Sequence, residues 1–348
     1  MPNAMPLYRA RAPLRLGLAG GGTDVSPYCD LFGGAVLNAT ISLFAHTTLQ
    51  TNADNCIRFI AQDLGIVEEF PVDAPIPENN KLSLHRGVYN RMIADYRNGQ
   101  REPLTLITHC DAPAGSGLGS SSTMVVSMLR AFDEAWSLAL GEYDLAQLAF
   151  AIERIDIGLH GGRQDQYAAA FGGFNFMEFH DTTQVLVNPL RVRPDIISEL
   201  EASLILFYTG KSRSSAAIIE EESKNVRDKN EDAMDAMHRT KQEAFHMKAA
   251  LLRGEVHGMG DIMKEAWRQK KRLASSISNA TIDALYDTAL REGAYCGKVS
   301  GAGGGGFMMF LVDPARRLRV EAALNATEAG RTMACSFMVE GATAWRAR

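Results

Sequence analysis

The stretch Pro113-Ala-Gly-Ser-Gly-Leu-Gly-Ser-Ser-Ser122 constrains this chain more than any other. It follows an apolar, strand-like run, Leu104-Thr-Leu-Ile-Thr-His-Cys110. It leads into a segment from Ser120 in which Val125, Leu129, Phe132 and Trp136 recur at helical spacing. Strand, glycine loop and helix in that order make an anion cradle. The glycines let the chain turn tightly and bring main-chain N–H groups against a ligand. The unpaired N–H groups and positive end of the following helix then favour negative charge.

Two common nucleotide loops do not fit. A Walker A loop needs a lysine after its last glycine, and Gly115 to Ser122 supplies none. A dinucleotide fingerprint needs an acidic residue about 20 positions beyond its glycines for the ribose. After the candidate first strand Leu14–Ala19 and Gly20-Gly21-Gly22, that position falls in the uncharged stretch Val36–Ser42.

What remains is P-x-x-x-G-L-G-S-S-[AS], and with it the chain resembles the GHMP kinases. Two further segments match in order. Arg11-Ala-Pro-Leu-Arg-Leu-Gly-Leu-Ala-Gly-Gly-Gly-Thr-Asp24 is similar to the superfamily's N-terminal sugar-binding strand and turn. Lys298-Val-Ser-Gly-Ala-Gly-Gly-Gly-Gly-Phe307 is similar to its C-terminal glycine motif. Within the superfamily the likeness is greatest to the heptose 7-phosphate kinases, through the G-G-G-T-D form of the first motif and the block Gly161–Gly173 containing R-Q-D-Q-Y-A-A-A-F. The resemblance implies an ATP- and Mg²⁺-dependent enzyme that phosphorylates the anomeric C1 hydroxyl of D-glycero-D-manno-heptose 7-phosphate to the 1,7-bisphosphate. Such a product feeds nucleotide-activated heptose for surface polysaccharide. A fucose, galactose or mannose 1-kinase is the nearest alternative, and a non-catalytic sugar sensor is the alternative from another class.

With 348 residues the chain can bury a substantial core. Its net charge of −5 gives no global basic footprint for nucleic acid. Five scattered cysteines form neither a disulfide framework nor a C-x-x-C metal site, which points to a reducing compartment. No apolar run approaches about 18 residues, and the residues before Tyr8 are too few and too polar for a signal peptide. The expectation is a cytoplasmic enzyme of undetermined oligomeric state, acting on a small sugar phosphate and ATP, with no nucleic-acid or membrane partner.

Short β-rich runs fill residues 8 to 110, helices follow, and a glycine-rich strand pair closes the chain. That order predicts an α+β fold. The resemblance implies two domains, 1–188 and 189–348, with the boundary at Asn188-Pro189 and the active site between them.

The resemblance also assigns roles. Pro113, Gly115, Ser116, Gly117, Leu118, Gly119, Ser120, Ser121 and Ser122 are expected at the nucleotide phosphates. Asp165 matches the family's catalytic aspartate, although an Asp there could also cap the following helix. Glu153 and Ser121 are the expected Mg²⁺ ligands. Glu153 lies one residue further upstream of Asp165 than in mevalonate kinase, and Asp156 and Glu134 are possible substitutes. Arg15 falls where the superfamily places a cation near the transferred phosphate or the aspartate. Gly22, Thr23 and Asp24 are expected at the sugar. Removing the side chains that galactokinase carries beside that aspartate leaves room for a larger one. Lys211 and Arg213, on a loop after a strand, and Arg163 are candidates for a second phosphate on the substrate. Gly303 and Gly304 belong to a glycine run longer than a tight turn requires, and are expected near substrate or nucleotide.

Overall fold

A computed structural model describes residues 6–180, 184–210 and 215–347. The first sheet is built on two long strands, β1 (Leu7–Ala19) and β2 (Gly34–Thr51), joined through the short helix α1 (Tyr28–Phe32). β3 (Cys56–Ala61) and β4 (Ile66–Pro71) form an antiparallel pair. Helix α2 (Ser83–Tyr96) then leads to β5 (Leu104–Cys110), which runs parallel to β3 and antiparallel to β2. The glycine loop follows, then α3 (Ser120–Trp136), α4 (Glu142–Ala151) with a wide π-helical turn at Ile152–Asp156, and α5 (Gln164–Phe171). β6 (Phe174–Phe179) returns to the first half of β2 and pairs with β7 (Val185–Pro189).

Beyond Pro189 the chain changes sheets. Helix α6 (Pro194–Ser203) enters β8 (Leu204–Tyr208). Three helices follow, α7 (Ser215–Arg227), α8 (Glu231–Arg253) and α9 (Val256–Leu273). Helix α10 (Ala280–Glu292), β9 (Ala294–Val299), β10 (Phe307–Val312), α11 (Arg317–Asn325) and β11 (Arg331–Met333) complete a four-stranded sheet ordered β11-β8-β10-β9. The last strand, β12 (Thr343–Arg346), crosses back to pair with β1, so the carboxy-terminal end is shared with the first sheet.

Apolar burial explains this arrangement. Val125, Leu129 and Phe132 of α3 are fully buried against the first sheet with Leu49, Phe59 and Leu106. This packing holds the amino end of α3 at the glycine loop. A second core lies between the sheets, where Leu14, Leu16, Leu37 and Phe176 meet Leu206, Phe307 and Met309. A third, around Phe207, Phe310 and Trp267, covers the outer face of the second sheet. Long helices are stopped by chemistry visible in the sequence. Asn230 and Asn279 cap the amino ends of α8 and α10, and Gly254 and Gly293 take left-handed conformations at their carboxy ends.

Candidate active site

The middle core fuses the two sheets, and a cleft of about 270 Å³ opens where the glycine loop, the turn after β1, the start of α5 and the glycine motif before β10 meet. Two glycines show how closely these parts approach. Gly117 has φ +82°, and a Cβ there would lie 2.3 Å from the Ser300 carbonyl oxygen. Gly119 has φ +77°, and its Cβ would lie 2.9 Å from Asp165 Cγ. Neither position admits another L-residue without displacing what faces it.

Asp165 lies in the first turn of α5 and is held by Arg15 of β1. Arg15 Nε donates to Asp165 Oδ1 at 2.7 Å, Nη2 lies 2.7 Å from the same oxygen, and Nη1 donates to the Gly117 carbonyl at 2.7 Å. One guanidinium therefore ties the carboxylate to the phosphate loop. The helix begins at Gln164, and the carboxylate serving its first N–H groups is Asp24. Its Oδ2 accepts from Arg163 N at 3.0 Å and Gln164 N at 3.1 Å.

Glu153 is fully buried, and Ser121 Oγ donates to its Oε1 at 2.7 Å. Gln166 Nε2 donates to Glu153 Oε2 at 2.6 Å and to Ser122 Oγ at 3.0 Å, while Arg154 Nη1 stands 3.8 Å from Oε1. The π turn that carries Glu153 takes up an extra residue. Asp156 is paired to Arg91 at 3.6 Å, away from the serines.

Of the loop residues, Gly115, Gly117, Gly119, Ser120, Ser121 and Ser122 line the cleft. Ser116 and Leu118 are buried beneath it: the Ser116 carbonyl accepts from Phe307 N at 2.9 Å, and the Leu118 carbonyl accepts from Arg15 N at 3.2 Å. The Pro113 carbonyl closes the first turn by accepting from Ser116 N at 3.1 Å.

The residues expected at the sugar divide. Gly22 and Asp24 line the cleft. Thr23 is buried outside the lining, its Oγ1 donating to the Gly20 and Ala35 carbonyls at 2.7 and 3.0 Å, so it pins the turn after β1. Arg163 is turned away, its Nη2 3.2 Å from Asp30 and its guanidinium 5.4 Å above Phe150. Gly303 and Gly304 pack against the segment before α10, with Gly304 N donating to the Ile277 carbonyl at 2.8 Å; Gly301 and Ala302 face the cleft instead. Lys211 and Arg213 lie outside the described residues.

The cleft also holds charges to which the sequence assigned no role: Glu222 from α7, Lys270 from α9, and Lys298, the first residue of the glycine motif. Lys298 Nζ donates to the Leu18 carbonyl at 3.0 Å. Burial, with added repulsion from Lys270 and Arg15, pushes its ammonium down to about 7. Burial also raises Asp24 above the usual carboxylate range, although backbone donors work against the shift. Cations gathered this closely make the cleft attractive to phosphate.

The model for the GHMP kinase N-terminal domain matches residues 83–173, and that for the C-terminal domain matches residues 247–329. A D-glycero-alpha-D-manno-heptose 7-phosphate kinase of Campylobacter jejuni is 45% identical over 98% of this chain and 100% of its own length. This chain belongs to the GHMP kinases.

The GHMP kinase architecture recurs in solved structures. A crystal structure described as a D-glycero-D-manno-heptose 1-phosphate kinase from Bacteroides thetaiotaomicron superposes with a TM-score of 0.84 at 44% identity, over 98% of this chain and 99% of that one. Lactococcus lactis galactokinase, complexed with galactose, superposes at 0.72 with 19% identity over 98% of this chain and 95% of its own, a likeness of fold alone. The α+β fold with two GHMP kinase domains, expected from the order of elements and the three motifs, is the fold observed.

Proposed function

We propose that this GHMP kinase transfers the γ-phosphoryl group of ATP to the anomeric C1 hydroxyl of D-glycero-D-manno-heptose 7-phosphate, giving the 1,7-bisphosphate. The observation that carries this reading is the full-length 45% identity to a heptose 7-phosphate kinase. A cleft that joins a phosphate cradle to a positioned carboxylate supports it. The product would enter nucleotide-activated heptose synthesis for a surface polysaccharide in the cytoplasm.

In this reading the loop from Pro113 to Ser122 carries the ATP phosphates, with its main-chain N–H groups and the amino end of α3 directed at them. Asp165 stands at the acceptor hydroxyl, where it orients the oxygen and takes its proton as the bond to phosphorus forms. Arg15, bonded to both Asp165 and the Gly117 carbonyl, fixes the distance between base and phosphate loop. Its charge also faces the phosphoryl group.

Ser121 Oγ and Glu153 fit a Mg²⁺ ion. They are hard oxygen donors already 2.7 Å apart, and Glu153 is buried with a neutral amide on its second oxygen. A bound Mg²⁺ would neutralise charge on the outer phosphates. Gly22 and Asp24 shape the sugar end of the cleft. Arg163, engaged with Asp30, supports that wall and is not the group we assign to a second phosphate.

The test is ADP release on a sugar panel containing heptose 7-phosphate, free heptose, mannose, fucose and galactose. The 7-phosphate should exceed every unphosphorylated sugar in kcat/KM.

A further inference from the structure

Sugar-binding carboxylates accept hydrogen bonds from hydroxyls, so their free lone pairs matter. Asp24 has very little capacity left. Gly22 N at 3.2 Å and Gln164 Nε2 at 3.1 Å donate to its Oδ1, and Arg163 N and Gln164 N donate to its Oδ2. Four donors match the roughly four acceptor sites of a carboxylate. A Cβ on Gly162 would lie 2.0 Å from Oδ2, so the chain is closed tightly over it. Asp24 organises the turn after β1 against the start of α5.

The same end of the cleft receives a second carboxylate from the other half of the molecule. Glu222 of α7 is 6% exposed, and its Oε2 lies 3.7 Å from where a Cβ on Gly22 would be. Lys270 of α9 lines the same cleft, anchored by donation to the Gly301 carbonyl. That anchor sits against the phosphate loop, since a Cβ on Gly301 would lie 2.5 Å from the Gly117 carbonyl oxygen, while Glu222 approaches Gly22. Neither residue belongs to the loop, the first motif or the glycine motif.

We propose that Glu222 and Lys270 form a sugar-recognition pair supplied by the C-terminal half, Glu222 accepting from hydroxyls of the substrate and Lys270 donating to an oxygen of the same sugar. A carboxylate and an ammonium together match a polyol, whose hydroxyls donate and accept at adjacent carbons. Charged groups at this site also give discrimination, because a sugar lacking the matching hydroxyl leaves the buried Glu222 carboxylate unpaired. Burial pushes the Glu222 carboxyl up to about 7 and lowers the Lys270 ammonium, with each charge partly offsetting the shift of the other. A hydroxyl donor on Glu222 would relieve that desolvation.

The inference rests on the sugar-kinase reading, and two measurements separate them. Turnover of heptose 7-phosphate by the wild-type enzyme tests the reading. Kinetics of variants, on whichever sugar of the panel the wild type uses best, tests the pair. Glu222→Gln and Lys270→Met should each raise the sugar KM tenfold or more, with the ATP KM and the melting temperature nearly unchanged. For Glu222→Gln, kcat should stay within about threefold of wild type, since a ground-state contact appears mainly in KM. The charge-swapped double variant E222K/K270E should remain impaired for sugar. Restored sugar KM in the swap, or equal losses on sugar and ATP, would make the pair a strut between elements and overturn the proposal. An unchanged sugar KM in Glu222→Gln would overturn it as well.

Discussion

Arg15 binds Asp165 through two of its nitrogens at 2.7 Å and reaches the Gly117 carbonyl with the third. A β1 side chain thus sets the separation between a carboxylate on α5 and the loop that cradles phosphate. If Asp165 serves the acceptor hydroxyl, Asp165→Asn should lower kcat by about two orders of magnitude or more, with the ATP KM nearly unchanged. Steady-state kinetics with both substrates varied checks this. A variant within a few-fold of wild type would remove Asp165 from the mechanism.

The bond from Ser121 to Glu153 leads to a metal titration. Ser121→Ala and Glu153→Gln should each raise the Mg²⁺ concentration needed for half-maximal rate, by about tenfold for the carboxylate. Melting temperatures measured alongside separate loss of metal from loss of fold. An unchanged Mg²⁺ requirement in both would place the ion elsewhere.

Gly119 should be intolerant of a single methyl. Its φ of +77° makes Gly119→Ala cost about 1–2 kcal/mol, and the new Cβ would meet Asp165 Cγ at 2.9 Å. The expected outcome is a melting temperature lower by several degrees together with a reduced kcat. An Ala variant that keeps both would show that the loop can yield.

His85 supplies a pH dependence of stability. It is buried in α2, with Nε2 2.9 Å from Thr108 Oγ1, and burial pushes its imidazole from 6.5 down to about 4. Between those values the unfolded chain binds a proton that the folded chain does not, so stability falls as pH drops from 6.5 towards 4. The loss amounts to at most about 3 kcal/mol. Urea melts at pH 7 and pH 4.5 should show His85→Gln losing less stability than wild type. Equal losses would mean that His85 is protonated in the fold.

The fold was readable where physics is local. The run Leu104–Cys110 is β5 residue for residue, and the apolar spacing of Val125, Leu129 and Phe132 gave α3 and its buried face. Helix α2 went unseen inside a region read as β-rich, because its apolar residues make no clean stripe. The phosphate loop, Arg15, Asp165 and Ser121 come together from within the motifs, and Glu153, outside them, was found only through its spacing from Asp165 in the resemblance. Glu222 and Lys270 gave no local signal: they lie on long charged helices whose exposed residues look the same in sequence. Only the packing of α7 and α9 over the cleft sets them apart. Arg163 stands apart for a different reason. It stands two residues from Asp165, but the turn into α5 sends its side chain to Asp30.

Incubating the protein with ATP, Mg²⁺ and D-glycero-D-manno-heptose 7-phosphate, and following the mixture by ³¹P NMR, tests the central claim most directly. A new sugar-phosphate resonance coupled to the anomeric proton should appear in step with ADP while the 7-phosphate signal persists. ADP formation with fucose, galactose or mannose but not with heptose 7-phosphate, or phosphorylation at any position other than C1, would contradict it.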